Sequence, residues 1–504
     1  MPTPEELEVI RAFRQRQYRM RMMRLRPSVP VTEQNPAREA NGMWGYQRTG
    51  SMNAGSPILT LTFTSDFQVG DPVIVSTGGE EGLGLYGTVG VGGNRGIVGS
   101  NYYESQINPQ ALIATVIDRN DDGSVLTLSQ SAVVSTTNTL IVFDNRSIVQ
   151  GFNEEVHAPG HEIVYPAGNF YMSNTFGIIG QSAGWLIRGA GKHDTVFRAP
   201  TGVQLSMFAF QAHGVEIRDF SIIGNLADDS FGMTGTEYNS GIVLIQTANA
   251  IVRNFHAEDV FAKVVWAIGG GADNVLVEDC SCRMRAARRE YLAEWLFGVS
   301  DSVGGTFNRC TVDSDYLMPG FETFRSNGVI FNDCSSRNGI VACNSSGNFE
   351  LNDFSIIVEE LSQPNQPSDV PHHHLSPIID VNRNIVPPDP SISAGGVINN
   401  MQIIVQGPIN SNGELKKGIV INVDNPNITV NGGQVAYPST PGPSGTDVGA
   451  RGFSSTGLNT IVNNFTVIGP SRDEFENNIE VEDGAVNNCT ATRIRCVGPN
   501  CVLT

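Results

Sequence analysis

The sequence predicts an all-β fold: a parallel β-helix, or solenoid, over residues 151–504, preceded by a small β-rich domain at 57–150 and an N-terminal α-helix. Three observations predict it. A short stretch of similar pattern recurs nine times between residues 215 and 493. One position in every copy is Phe, Cys or Met. Between the short apolar runs the chain is crowded with Asn, Asp and Gly (55 glycines in 504 residues), as a chain of many tight turns requires.

The elements follow in order. Residues 5–26 hold helix formers, no Gly and no Pro, and Pro27 would end the helix. Seven arginines against three glutamates make this segment basic in a chain of net charge −19. It is read either as a loose basic tail or, with the residues up to 30, as a docking helix that packs on a partner or on its own copies; a membrane-surface helix is the third reading. Residues 31–56 read as a linker. From 57, "ILTLTF" and "PVIVST", then "LIATVI", "SVLTLS" and "TLIVFD", read as strands, with "RNDDG" as a hairpin turn. The glycine-rich stretch between them has no GK[ST] and no strand–loop–helix setting, so it is not a phosphate loop. From about 160 the strands become short and turn-separated; a helix signal returns only around 285–297.

The repeat carries the fold. Its copies include "VEIRDFSIIG", "AIVRNFHAED", "VLVEDCSCRM", "GTFNRCTVDS" and "VIFNDCSSRN". The recurring slot is Phe220, Phe255, Cys280, Cys310, Cys334, Phe354, Met401, Phe465 and Cys489. Its spacings are 35, 25, 30, 24, 20, 47, 64 and 24 residues. The short spacings suit one coil each. The spacing of 47 would contain a proline-rich loop at 361–390, and that of 64 a degenerate copy at 425–432. One coil cannot bury its own apolar positions, but stacked coils can. Cys310, with Cys280 and Cys334, is therefore expected as a buried rung rather than a metal ligand. Asn and Asp before the slot would stand at a corner where awkward backbone angles are tolerated.

Composition excludes some functions. The acidic balance, with only four lysines, disfavours nucleic acid. No apolar run reaches the length of about 18 residues that spans a bilayer, and "MPTPEELEV" has no secretory apolar region. No cofactor motif is present. No metal site is expected: the eight cysteines have no zinc spacing, and the side chains of consecutive His372, His373 and His374 cannot converge. Cys489, Cys496 and Cys501 leave a disulfide open.

"HEIVYPAGNFYMSNTF", followed by "WLIRGAGKHDTVFRAP", resembles the opening of the pectate-lyase-like right-handed β-helix superfamily. Pro166, Ala167, Gly168, Phe170, Gly189, Gly191, Thr195 and Val196 carry the resemblance. The preceding region, with "FQVGDPVIVST", is similar to the small β domain of many bacteriophage tail proteins. The resemblance implies a right-handed solenoid and a viral tailspike: a homotrimer in the virion that binds, and in many members hydrolyses, host surface polysaccharide. Residues 1–30 would then meet other tail or adaptor proteins. "CTATRIRCVGPNCVLT" would leave little room for a separate trimerisation domain. The alternatives are a polysaccharide lyase and a non-catalytic structural or adaptor component of the particle.

Strand alternation then assigns the outer face. The residue after each slot points out, in a polar column containing His256. The residue three beyond the slot also points out: Ile223, Glu258, Arg283, Asp313, Arg337, Ile357, Ile404, Ile468 and Thr492. Rungs about 4.8 Å apart would place Glu258 and Asp313 about 10 Å apart, and Asp313 and Asp315 about 7 Å apart on one strand. Both separations leave room for the water of an inverting glycosidase. Asp313, Asp315 and Glu258 are thus the expected acid and base candidates, joined by Glu322 in a turn between coils. Arg283, Arg337, Arg325 and His256 would bind substrate. Trp295 and Tyr291 would stack on sugar rings from an insertion. The competing expectation for the same residues is a ladder of opposite charges that stabilises adjacent rungs.

Overall fold

A repeated strand with a buried slot requires each copy to pair with the same strand of the next. A computed structural model of the chain shows that arrangement. It describes residues 28–30, 46–76, 86–87, 105–106, 111–144, 162–172, 176–179, 184–199, 208–211, 213–224, 241–260, 264–269, 272–285, 296–359, 378–381, 395–406, 419–436, 451–468, 479–499 and 501–504. Among the described residues, thirty-one strands join in one parallel sheet wound into a β-helix.

Each coil lends a strand to three faces. The first face stacks Leu186–Arg188, the leading halves of Glu216–Ile223 and Ile251–Glu258, then Val275–Glu278, Val303–Asn308, Asn327–Asn332 and Phe349–Asn352. The second stacks the trailing halves of those two long strands, then Ser281–Met284 and the starts of Thr311–Phe324 and Ser335–Asn344. The third stacks Ile242–Ile245, Val265–Ile268, Phe297–Ser300 and the ends of the same two strands.

The corner between the first and second faces explains the Asn and Asp of the repeat. Asp219, Asn254, Asp279, Asp333, Asp353, Asn400, Asn464 and Asn488 have φ between 48° and 62°. Short polar side chains tolerate this left-handed region by bonding locally. Arg309 adopts φ 52° without that help, and its guanidinium grips Asp279 through Nε–Oδ1 at 2.7 Å and Nη2–Oδ2 at 2.9 Å. Immediately before the corner, Asn308, Asn332, Asn352, Asn399, Asn431, Asn463 and Asn487 form a continuous amide ladder, each Nδ2 donating to the preceding Oδ1 at 2.7–3.0 Å.

The slot residues follow the corner and fill the interior: Phe220, Phe255, Cys280, Cys310, Cys334, Phe354, Met401 and Phe465 are buried. Burial pushes the Cys310 thiol well up, which keeps it a neutral apolar rung. The degenerate copy is a full rung with an empty slot. Met401 pairs with Gly433, whose φ is 115° and whose added Cβ would stand 2.3 Å from the Met401 carbonyl oxygen.

Ahead of the solenoid lies a closed six-stranded antiparallel barrel: Gln47–Met52, Ile58–Leu61, Pro72–Val75, Leu112–Arg119, Val125–Leu128 and Thr136–Phe143. Its core includes Leu59, Phe67, Val73, Leu126 and Ile141, all fully buried.

Several expectations are corrected. The barrel begins inside the expected linker, because Gln47–Met52 pairs with Ile58–Leu61 and Thr136–Phe143; its weak alternation, interrupted by Gly50, hid it. Ser28–Pro30, counted with the docking segment but beyond the Pro27 that would end its helix, is a strand parallel to Glu162–Val164. The expected helix at 5–26 lies outside the described residues. The proline-rich loop is broken by Ile379–Val381, a third-face strand whose "IID" the surrounding prolines obscured. The end of the expected 285–297 helix is the strand Phe297–Ser300. Cys496 and Cys501 form a disulfide.

The segments 225–240, 286–295, 360–377, 407–418, 437–450 and 469–478 all connect a second-face strand to a third-face strand. Thr311–Phe324 and Ser335–Asn344 need no connecting segment, because each runs from one face to the other; Ile251–Glu258 and Val265–Ile268 are joined by only a short one.

Candidate functional site

The register reproduces the outer columns read from the sequence. Ile223, Glu258, Arg283, Asp313, Arg337, Ile357 and Ile404 stand on successive rungs of the second face. Its charged middle, Glu258, Arg283, Asp313 and Arg337, occupies four successive coils, in the last two of which one strand runs unbroken to the third face.

There the carboxylates and guanidiniums meet. Asp313 Oδ1 lies 3.2 Å from Arg283 Nη1 and accepts from Arg337 Nε at 2.6 Å. Asp315 Oδ1 accepts from Arg283 Nη2 at 2.6 Å and from Arg337 Nη2 at 2.9 Å. Arg337 also donates Nη1 to Glu359 Oε2 at 3.1 Å. Two aspartates are thus held between two arginines, one rung to either side. A bulge makes this possible. Asp313 pairs with Arg337 and Met318 with Gly339, so the strand carries extra residues between these pairs, and Asp315 is one of them. Partial burial pushes the Asp315 carboxyl up, but the hydrogen bonds and charges of Arg337 and Arg283 outweigh it and hold the group below its ordinary value. A general acid needs the opposite shift. As arranged, the pair is a charge-complementary ladder, accessible to solvent at roughly two fifths of each carboxylate side chain, 41% and 38%.

Glu258 belongs to a neighbouring cluster. Arg285 binds Glu258 and, at 3.0 Å, Asp259. His256 Nε2 lies 3.4 Å from Glu258 Oε1, and His256 Nδ1 lies 2.9 Å from Ser281 Oγ on the next rung. The His193 ring stands 5.3 Å from that of His256. Burial lowers the His256 pKa against the pull of Glu258, and the charges of Lys192 and His193 add to the lowering.

Other candidates lie elsewhere. Glu322 is not in a turn between coils; it is on the strand Thr311–Phe324 where that strand has reached the third face, between Gly298 and Ala342. It is 6% exposed and accepts from Asn344 Nδ2 at 2.8 Å. It therefore does not share a groove with Asp313. Arg325, at a corner with φ 44°, binds Asp301 at 2.8 Å and covers the Phe324 ring. Trp295 and Tyr291 lie outside the described residues. Among the described residues no group of three or more His, Cys, Asp or Glu side chains converges as metal ligands would.

Sequence reasoning missed Asp259 and Glu359 as members of these clusters; it placed Ser281 in the outward column of His256 but gave it no role. Ser281 carried a signal: it follows a slot residue directly and so had to share a column with His256.

No family model matches the chain, and no curated protein matches it. Among solved structures, the chain is similar to the Agl-KA catalytic domain, with 14% identity over 90% of this chain and 91% of that one, at a TM-score of 0.45. It is similar to the A-module of the mannuronan C-5 epimerase AlgE6 of Azotobacter vinelandii, with 15% identity over 72% and 94% of the two chains, at a TM-score of 0.43. It is also similar to the tailspike protein gp49 of Pseudomonas phage LKA1, with 12% identity over 89% of this chain, at a TM-score of 0.32; it spans 64% of that protein's length. These likenesses concern the course of the chain and carry no information about the site.

Proposed function

We propose that the protein is a tailspike-type component of a viral tail whose second face binds the polysaccharide of a host cell surface. The observation that supports this reading is the strip Glu258, Arg283, Asp313, Asp315, Arg337 and Glu359. Carboxylates and guanidiniums recur along it on consecutive rungs, and strands rather than loops fix the positions of all but Glu359, which follows the end of its strand. A hydroxyl-rich polymer lying along the solenoid would meet an acceptor or a multidentate donor at each rung. Asp313 and Asp315 are poorly suited to hydrolysis: both are paired with arginine, and Arg337 and Arg283 hold the Asp315 carboxyl below its ordinary value, against the shift a general acid needs.

Titrating the full chain with purified host capsular polysaccharide or lipopolysaccharide tests this. Arg337→Ala is expected to weaken binding by about 10- to 100-fold, the scale of one or two lost charge-assisted contacts. Binding that is absent in the parent, or unchanged in the variant, sinks the reading. Assaying the same mixtures for new reducing ends and for unsaturated, ultraviolet-absorbing products separates binding alone from hydrolysis and from a lyase reaction.

The proposal extends to a homotrimer, with residues 1–30 attaching to other tail or adaptor proteins. The support is an apolar continuation of the second face beyond the charged strip, where Ile404 and Ile468 stand 37% and 53% exposed. A second copy would cover them. Light scattering is expected to give three times the chain mass for the parent and a smaller assembly for Ile404→Asp/Ile468→Asp; a monomeric parent refutes the trimer.

A further inference from the structure

The second face carries, at the N-terminal end of the charged strip, three side chains in the order that nucleophilic hydrolysis needs. Ser281 Oγ lies 2.9 Å from one imidazole nitrogen of His256, and the other nitrogen lies 3.4 Å from Glu258 Oε1. The first contact crosses from one rung to the next, where His256 pairs with Ser281; the second runs along one strand between residues that share a face. A hydroxyl on one ring nitrogen and a carboxylate on the other is the nucleophile–base–orienter relation, which is recognised by geometry and not by chain order.

We infer that Ser281, His256 and Glu258 form a serine-esterase centre that removes acyl groups from the hydroxyls of a carbohydrate.

The surroundings suit each role. Ser281 is half-buried, while the His256 and Glu258 side chains are 13% and 26% exposed. Burial holds the His256 ring below its ordinary pKa, which favours the neutral form that can accept a proton. Arg285 binds Glu258 and fixes the carboxylate beside the ring. A turn at residues 191–194 folds over the same face, where Ser221 Oγ donates to the Lys192 carbonyl and Lys192 Nζ donates to the Asp279 carbonyl at 3.2 Å. That ammonium is two residues from Ser281 in its anchoring and close enough to His256 and Asp279 for its charge to act on both. It is the cation that would meet a developing oxyanion.

In the first step Ser281 Oγ attacks the ester carbonyl carbon and its proton passes to the facing nitrogen of His256. The carbon–oxygen bond to the sugar then breaks, and the imidazolium returns the proton to the leaving alkoxide, which leaves an acyl-serine. Water attacks that acyl group, His256 takes the water proton, and the carboxylic acid departs as Ser281 recovers its hydrogen. Water is the only co-reactant and no oxidation occurs. The carbohydrate part of the substrate rests on the glycan-binding reading; the esterase centre does not.

The test uses the full chain, a fluorophosphonate label, p-nitrophenyl acetate and an O-acetylated polysaccharide. The parent is expected to take one label, mapped to Ser281 by mass spectrometry, and to hydrolyse p-nitrophenyl acetate at least about 100-fold faster than Ser281→Ala. His256→Gln should lose both properties, whereas Ser335→Ala, two rungs away in the same polar column, should keep them. Circular dichroism identical to that of the parent shows that a silent variant is folded. A folded parent that takes no label and turns over ester no faster than Ser281→Ala overturns the centre. Turnover of p-nitrophenyl acetate without release of acetate from the polysaccharide upholds the centre and overturns its carbohydrate substrate.

Discussion

Phe331→Ala is expected to lower the stability of the solenoid by about 3–5 kcal/mol, the usual cost of emptying a buried phenylalanine site. Phe331 is fully buried, on the first-face strand Asn327–Asn332. Its ring stacks on Phe307 at 4.8 Å and meets Phe321 at 5.9 Å and Phe354 at 6.4 Å, so it joins three coils and all three faces. The backbone rungs on either side are tied by parallel pairing and cannot collapse into the void. Because coils contact mainly their neighbours, the loss should open the coils around residues 303–359 before the rest. Urea unfolding followed by hydrogen exchange would show this; a loss below about 1 kcal/mol would mean that the stack contributes little beyond pattern.

Asn352→Ala is expected to cost about 2 kcal/mol, more than its half-buried position suggests. Asn352 Nδ2 donates to Asn332 Oδ1 at 2.9 Å, and its Oδ1 accepts from Asn399 Nδ2 at 2.7 Å. Deleting the amide cuts the ladder and strands an acceptor on one side and a donor on the other. Removing the terminal amide, in Asn308→Ala, strands only the Asn332 donor and should cost about half as much. Equal losses at the two positions, measured by thermal unfolding, would show that the rungs act independently and that the ladder has no continuity.

Much of this protein was legible in its sequence because a solenoid writes its register locally. Every copy of the repeat places one apolar slot after one corner residue, and each strand alternates from there. The slot therefore located Cys310 in the core, and the position three beyond it located Arg283, Asp313 and Arg337 in one column. The asparagine ladder follows from the same alignment: Asn308, Asn332, Asn352 and Asn399 each stand two residues before the slot. The degenerate copy at 425–432 was visible too, but that its slot is empty and falls at Gly433 came only from the pairing with Met401.

Tertiary structure decided what periodicity does not encode. The bulge between Asp313 and Met318 exists only relative to the partner strand, and it is what brings Asp315 onto both Arg283 and Arg337. The same strand runs on to the third face, which took Glu322 away from the aspartates it was grouped with. His256 and Ser281 are 25 residues apart and touch only because two coils stack in register. The alternation of side chains is a property of one strand, so sequence can assign faces. Which carboxylate meets which guanidinium depends on loop lengths, bulges and rotamers across separate coils, and these are settled only when the coils are stacked.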